Sequence, residues 1–572
     1  MRVIPNIYAT GNGQLIGLKP LTNTGASVWK YNLAIVIAAI VLFVPFLGSV
    51  HLFDWDEINF AECAREMLVT HNYFSVKINF QPFWEKPPLF IWMQALSMSV
   101  FGINAFAARL PDAICGIITL LVVFNIGRRL YNERFGLLWV LAFAGSFLPH
   151  FFFKSGIIDP WFNLFIFCSI YFFILYSNTK SINRLLLSAV FIGLAVLTKG
   201  PAAVLILGLC LVIYRILMRF EPLMTVKHFL IYCGTAALVG GAWLLLLLFS
   251  GHADIISQFF VYQLRLFSTP DSGHGGPFYY HWVVLLVGCF PMSVFALRGF
   301  KSNANDTAFQ RVFKLHMMIL FWVVLILFSI VKTKIVHYSS LCYFPISFLA
   351  AYTVHKLING QLKWQKASSV LMMVLAGLFG ILVSALPLLE KYKQQLVATG
   401  LVKDKMMLEN LKADVHWLGF EWLIGIVFII GTAVMLVFIA KGKIQQGAIG
   451  IFLVSMFTVN VSSLVIAPRV EQYTQGAAIE FYEYLKDKDC YVETYGFKSY
   501  AYLFYPQKKE DKNPEHSNID WMLRGNIDKP AYFASRITDY DQIFTTYKDL
   551  KEIYRKNGFV FWVRYPALYH YP

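Results

Sequence analysis

Residues 54–68, DWDEINFAECAREML, set five carboxylates (Asp54, Asp56, Glu57, Glu62 and Glu66) directly behind the apolar run from Tyr31 to Val50. Acids at a membrane boundary are costly to keep and are retained where their charge is used. The stretch therefore reads as the first half of a site carried by a membrane-embedded chain. WEKPP at 84–88, GIIDP at 156–160, Arg265 and KTKIVHY at 332–338 are read as its second half.

The surrounding sequence agrees with a membrane setting. Of the 572 residues, 58% are hydrophobic and 14% charged, and apolar runs of spanning length recur from residue 31 to residue 466, the pattern of a polytopic membrane protein. A soluble chain of this size would divide into ordinary domains. The eight cysteines lie mostly within apolar runs, with no CxxC pair and no histidines at zinc-ligand spacing, so neither a disulfide framework nor a structural metal is indicated. The net charge of +16 would fit a nucleic-acid ligand if it were clustered, but Lys and Arg fall in short connections, where they report topology. The first 30 residues are too polar for a cleavable signal, and the run 31–50 is long enough to remain as a helix.

At roughly 20 apolar residues per crossing, the chain holds about thirteen spans. They are expected near 31–50, 108–126, 136–153, 160–176, 185–198, 201–218, 229–250, 281–297, 316–331, 335–354, 368–388, 417–440 and 446–466. With the amino terminus inside, the inner connections are basic: Arg128, Arg129 and Arg134, then Lys180 and Arg184, then Arg215 and Arg219, down to Lys441 and Lys443. An odd number of spans then puts the site and the carboxyl-terminal region outside. The chain divides into a transmembrane domain, 1–468, and an extracytoplasmic α/β domain, 469–572. Within 51–107, Ile58, Ala61, Ala64, Arg65 and Leu68, and again Phe90, Met93, Gln94, Ser97 and Val100, recur at helical spacing, predicting two helices along the outer membrane surface. The loop 251–280 contains SGHGGP, which reads as a lid or as an ordinary turned surface loop. Beyond Arg469, helical patterns at 476–486 and 541–555 alternate with strand-like runs at 490–495, 531–535 and 559–563.

The order Asp56-Glu57, Ala61-Glu62, Arg65 to Leu68, Glu85 to Pro88, Asp159-Pro160, Leu197 to Gly200 and Thr333 to Tyr338 resembles the integral-membrane glycosyltransferases of the GT-C class, in the aminoarabinose transferase and bacterial protein mannosyltransferase branch. The resemblance implies an α-helical polytopic GT-C fold with a small α/β tail. It implies a polyprenyl-phosphate-linked sugar donor, cleaved on the outer face, and a lipid A, glycolipid, glycan or protein acceptor. Asp56 matches the first-loop aspartate and is assigned to acceptor orientation or general base catalysis; its bland alternative is an interfacial pair with Arg65 or Lys86. Asp159 matches the second acidic position, or serves as a helix cap in an Asp-Pro turn. Lys86 is implied to contact the donor phosphate, its direction stiffened by Pro87 and Pro88, and Arg265 suits bidentate phosphate binding.

Lys332, Lys334 and His337 form a positive cluster at an outer connection, where topology disfavours one, and are read as anion-binding. Lys199 has a similar claim, or snorkels at a short hairpin. Glu57, Glu85 and Tyr338 are read as supporting residues, Glu57 as structural. No metal or other cofactor is expected to be obligatory; Glu85 with His274 is the weak candidate metal pair.

Two departures matter. Where the aminoarabinose transferases commonly read DExRYAE, this chain has Asn59-Phe60, losing a cation that could serve an acceptor phosphate, and Leu341 is followed by Cys342 instead of proline. A transporter or flippase of lipid-linked sugars would also show many spans and an anion-binding cluster, but its ionisable residues would sit near the membrane midplane, whereas these acids cluster in loops on one face. A receptor with a membrane anchor would not need so many spans.

Overall fold

The computed structural model describes residues 26–83, 85–251, 253–268, 275–301, 305–511 and 513–567. The chain opens with α1 (Ala26–Phe43), then α2 (Asp56–Thr70), a two-residue hairpin of β1 (Lys77–Ile78) and β2 (Gln81–Pro82), α3 (Leu89–Phe101) and α4 (Ala105–Leu130). The bundle continues through α5 (Glu133–Ala144), α6 (Phe147–Phe152), α7 (Asp159–Thr179), α8 (Ile182–Lys199), α9 (Ala202–Leu217), α10 (Val226–Gly240), α11 (Ala242–Phe249) and α12 (Ala253–Ser268). Next come α13 (Tyr280–Gly288), α14 (Met292–Gly299), α15 (Ala308–Ile330), a 3-10 turn Val336–Cys342 that feeds α16 (Tyr343–Ile358), α17 (Lys366–Ala398), α18 (Lys405–Asn410), α19 (Leu423–Ala440) and α20 (Ile444–Val465).

Polar side chains punctuate these apolar helices where the backbone would otherwise leave N–H groups unpaired. Asn104 accepts from Ala107 N ahead of α4, Asn132 from Phe135 N ahead of α5, and Thr307 forms a capping box with Gln310 ahead of α15. Gly200 ends α8 at φ +89°, a conformation other residues resist, and so holds Lys199 at the very end of its helix. Between α17 and α19, a Cβ on Gly425 would stand 2.0 Å from the Gly380 carbonyl oxygen, so this crossing exists only with glycine on it.

Among the described residues, eight helices are long and apolar enough to cross a membrane; the bent pairs α10–α11 (55°) and α13–α14 (110°) raise the number to ten. The other three expected runs fall on shorter pieces: α1, α9, and α5 with α6, which break at Gly145. Helices cover both stretches where two were expected, as α2 and α3, packed on one another.

After α21 (Ala467–Tyr473) and α22 (Gly476–Tyr484) the chain builds a four-stranded sheet from β3 (Tyr491–Tyr495), β4 (Ala531–Arg536), β5 (Lys551–Lys556) and β6 (Phe559–Arg564), in the order β3-β4-β6-β5. β3 and β4 are parallel, joined by a crossover containing Ala501–Phe504 and Ile519–Arg524; the other pairings are antiparallel. The helical pattern expected over 541–555 is corrected: a helix covers only Tyr540–Thr546, and 551–556 is the edge strand β5. Its sequence, KEIYRK, is exposed throughout, and the charges that make it resemble a solvated helix are those that guard a sheet edge.

One buried apolar cluster fills the helical bundle. A second joins α2 and α3 to α22, Tyr502, Phe504 and Phe561, so a face of the sheet and the two surface helices share one core.

Candidate active site

The site lies where α2, α7, α8, residues 85–88 and the 335–338 segment meet at one end of the bundle. Asp56 is the first residue of α2 and Asp159 the first of α7. Asp159 does not cap its helix; its buried carboxylate accepts from Lys199 Nζ at 2.6 Å. His337 Nε2 stands between the two acids, 3.2 Å from Asp56 Oδ2 and 4.0 Å from Asp159 Oδ2. Asp56 therefore faces His337; Arg65 is engaged instead with Glu62, Nη2 to Oε1 2.6 Å.

Two cavities meet here. A polar one of about 530 Å³ is lined by Asp56, Glu85, Lys86, Asp159, Lys199, Arg265 and His337 together with aromatic rings. An apolar one of about 390 Å³ runs between helices, lined by Phe162, Ala202, Leu205, Ile206, Phe260 and Phe328 among others. Four residues line both: Lys86, Asp159, Lys199 and Tyr338. Lys199 Nζ stands 5.1 Å from the Tyr338 ring centroid, which fixes the ammonium at the junction. Burial holds the Lys86 ammonium below its ordinary pKa, with Glu85 pulling it back up and Lys199 adding to the depression. An anion at the junction would relieve that cost for Lys86.

The loop in front of Asp159 is held from below. Glu57 is buried and accepts from Gly156 N at 2.6 Å and Phe53 N at 2.8 Å, while Asp112 accepts from Ile157 N at 2.9 Å. Arg109 clamps Glu57 in turn, Nε to Oε1 2.9 Å and Nη2 to Oε2 2.7 Å, and its remaining N–H groups go to the carbonyls of Leu47, Val50 and His51. Glu57 thus ties the turn before α2 to the loop before Asp159. Arg109 and Asp112 escaped notice in the sequence, although charges one helical turn apart within an apolar run were the available signal.

Two expected members sit elsewhere. Lys334 turns back on α15 and donates to the carbonyls of Phe328, Ser329 and Val331 at 2.9, 2.7 and 2.6 Å, so all three of its protons cap a helix C-terminus and it lines neither cavity. Lys332 is exposed and also lines neither. Arg265 lines the polar cavity, but from helix α12 and not from a loop. His274, and with it the metal pair proposed for Glu85, lies outside the described residues. From the far end of the chain, Lys498 and Tyr500 line the polar cavity, and no local motif marks them.

Residues 85–245 match the dolichyl-phosphate-mannose-protein mannosyltransferase family. The chain is 24% identical over 373 residues to the undecaprenyl phosphate-alpha-4-amino-4-deoxy-L-arabinose arabinosyl transferase of Wigglesworthia glossinidia brevipalpis, covering 64% of this chain. It is 26% identical over 375 residues to the enzyme of the same name from Pectobacterium atrosepticum, covering 63% of this chain. In each case the match spans 65% of the relative's length. The structure superposes on the crystal structure of ArnT from Cupriavidus metallidurans bound to undecaprenyl phosphate with a TM-score of 0.75 and 17% identity, covering 96% of this chain and 100% of that one. In sequence and in fold, the chain is thus similar to the integral-membrane glycosyltransferases of the GT-C class and to their aminoarabinose transferase branch.

Proposed function

We propose that this protein is a glycosyltransferase that moves a sugar from an undecaprenyl-phosphate-linked donor to an extracytoplasmic glycolipid acceptor of the lipid A type, releasing undecaprenyl phosphate. The observation that carries the reading is the junction of the two cavities. A prenyl-phosphate sugar is apolar at one end, anionic in the middle and polar at the other, and Lys86 and Lys199 stand where an apolar cavity opens into a polar one. The names of the relatives support the donor.

In this reading the prenyl tail lies along α9 and α15, and its phosphate meets Lys86 and Lys199, with Arg265 approaching from α12. The sugar enters the polar cavity. The acceptor oxygen attacks the anomeric carbon as the bond from that carbon to the phosphate oxygen breaks, inverting the configuration. The electron pair leaves with the phosphate, whose charge the two ammonium groups stabilise. Asp56 orients the acceptor, and takes its proton if the acceptor is a hydroxyl. His337 bridges the two carboxylates and sets the direction of Asp56. Asp159 holds Lys199 in place, and Tyr338 and Glu85 shape the walls. The side-chain cations perform the neutralisation for which other phosphoryl-leaving reactions use a metal, so no metal is assigned an obligatory role.

The basic connections support an orientation with the amino terminus inside, thirteen crossings, and the site and residues 469–572 outside a bacterial inner membrane. The family matched over 85–245 favours one second reading, a protein hydroxyl as acceptor.

The test uses purified protein in nanodiscs with radiolabelled polyprenyl-phosphate sugars and lipid A. Wild type is expected to transfer label and release polyprenyl phosphate, and Asp56→Asn and Lys86→Ala to lose at least about a hundredfold in rate with unchanged melting temperature. If label instead crosses the bilayer of reconstituted vesicles with no donor cleaved, the protein is a flippase.

A further inference from the structure

The polar cavity has a second positive pole that the donor does not use. Lys498 lines it but not the apolar cavity, and its Nζ stands 5.4 Å from the Trp55 ring centroid and 5.3 Å from that of Tyr500. It forms no ion pair among the described residues, so two aromatic faces hold an exposed cation whose charge is not neutralised. The two rings meet edge to face at 6.4 Å, and Tyr500 N donates to Asp54 Oδ1 at 3.4 Å, tying residues 498–500 to the entry of α2.

Trp55 itself is held at φ 75°, ψ −98°, a conformation that a bulky residue adopts at a cost and that persists only where the surroundings impose it. It puts the indole beside Tyr500 while the next residue, Asp56, faces His337. Asn59, one turn along α2, lines the same cavity with a buried Oδ1 that has no hydrogen-bond partner.

We infer that Trp55, Tyr500 and Lys498 form the acceptor subsite, selecting a sugar that bears an anionic group. The rings take the apolar face of the sugar, and Lys498 supplies a cation from the carboxyl-terminal segment. An acceptor seated there lies beside residue 56, among residues that line the polar cavity and not the apolar one. The inference rests on the glycosyltransferase reading for its chemistry, but its binding arm stands without transfer.

The test compares wild type, Lys498→Ala and Lys498→Arg in nanodiscs, with lipid A and with lipid A stripped of its phosphates. Two quantities are read: binding of each glycolipid without donor, and KM for donor and acceptor in transfer. Lys498→Ala is expected to weaken binding of phosphorylated lipid A about tenfold and raise its acceptor KM alike. It should leave donor KM and binding of the stripped lipid unchanged, and Lys498→Arg should restore both. Equal binding of the two lipids by wild type, a donor KM that moves with the acceptor KM, or efficient transfer to a peptide hydroxyl unaffected by Lys498→Ala would each overturn the subsite. Lys498-dependent binding with no transfer from any donor would uphold the subsite and refute the glycosyltransferase.

Discussion

At the scale of single residues, the site depends on one buried ion pair more than on any group that faces substrate. Arg109 spends its donors on Glu57 and three carbonyls of the turn before α2, and Glu57 spends its remaining capacity on Phe53 N and Gly156 N. This one knot sets both the start of α2, which carries Asp56, and the loop that delivers Asp159. Glu57→Ala would strand a guanidinium that is 3% exposed, at a cost of about 3–5 kcal/mol, and is expected to lower the melting temperature in detergent sharply. Arg109→Lys keeps the charge but not the planar fork, and should cut turnover more than it cuts stability. A variant that melts early yet keeps full turnover would refute the positioning role. The motifs made Asp56, Lys86, Asp159 and His337 visible as charges out of place, and the structure brings all four to one cavity. Lys334 carried the same signal for another reason: a lysine just past a helix end serves the carbonyls it finds there, and sequence does not say which way it folds.

At the scale of elements, α2 shows what periodicity can and cannot convey. Its helical spacing was legible, but its polar face reads as a surface exposed to water or headgroups, whereas Glu62, Arg65 and Glu66 are at most 1% exposed. Part of the cover is local, from α3 and the hairpin, and part comes from more than four hundred residues downstream, where the segment Ala501–Phe504 packs against α2. Desolvation pushes the Glu66 carboxyl up to about 9, with the Glu62 carboxylate adding to the rise. A carboxyl raised in the folded state keeps its proton after the unfolded chain has lost its own. Stability from this group is therefore full below about pH 4 and is lost progressively as pH climbs towards about 9, at roughly 1.4 kcal/mol per unit. Glu66→Gln keeps an acceptor for Phe80 N, which now donates to Glu66 Oε2 at 2.9 Å, and removes the titration. Melting curves from pH 5 to 9 are expected to slope downward for wild type and to flatten for Glu66→Gln, with the variant the more stable at pH 8. Parallel curves would place the titrating group elsewhere. The strand β5 was hidden by the same kind of ambiguity, since KEIYRK satisfies a solvated helix and a guarded edge equally well.

At the scale of the molecule, the two cavities divide the labour between parts of the chain that differ in what their sequence can say. The apolar cavity is walled by α7, α9 and α15, whose long hydrophobic runs announce helices without announcing that a gap is left between them, and by α12, which lies in a stretch the sequence reads as a loop. The polar cavity draws on seven separate segments, the last of them the 498–500 stretch, and only their folding together makes a site. If the apolar cavity holds a prenyl tail, affinity must grow with tail length, because each further methylene-sized group removed from water contributes about 0.8 kcal/mol until the cavity is full. Leu205→Trp, on the α9 wall, shortens the usable cavity without touching the lysines at its mouth. Wild type is therefore expected to show a donor KM that falls steeply as the prenyl chain lengthens and then levels off. The variant should level off at a shorter chain, with short donors used as well as before. The discriminating measurement is the slope against chain length, since a general loss of folding or of phosphate binding would raise KM for every donor by the same factor and leave that slope intact.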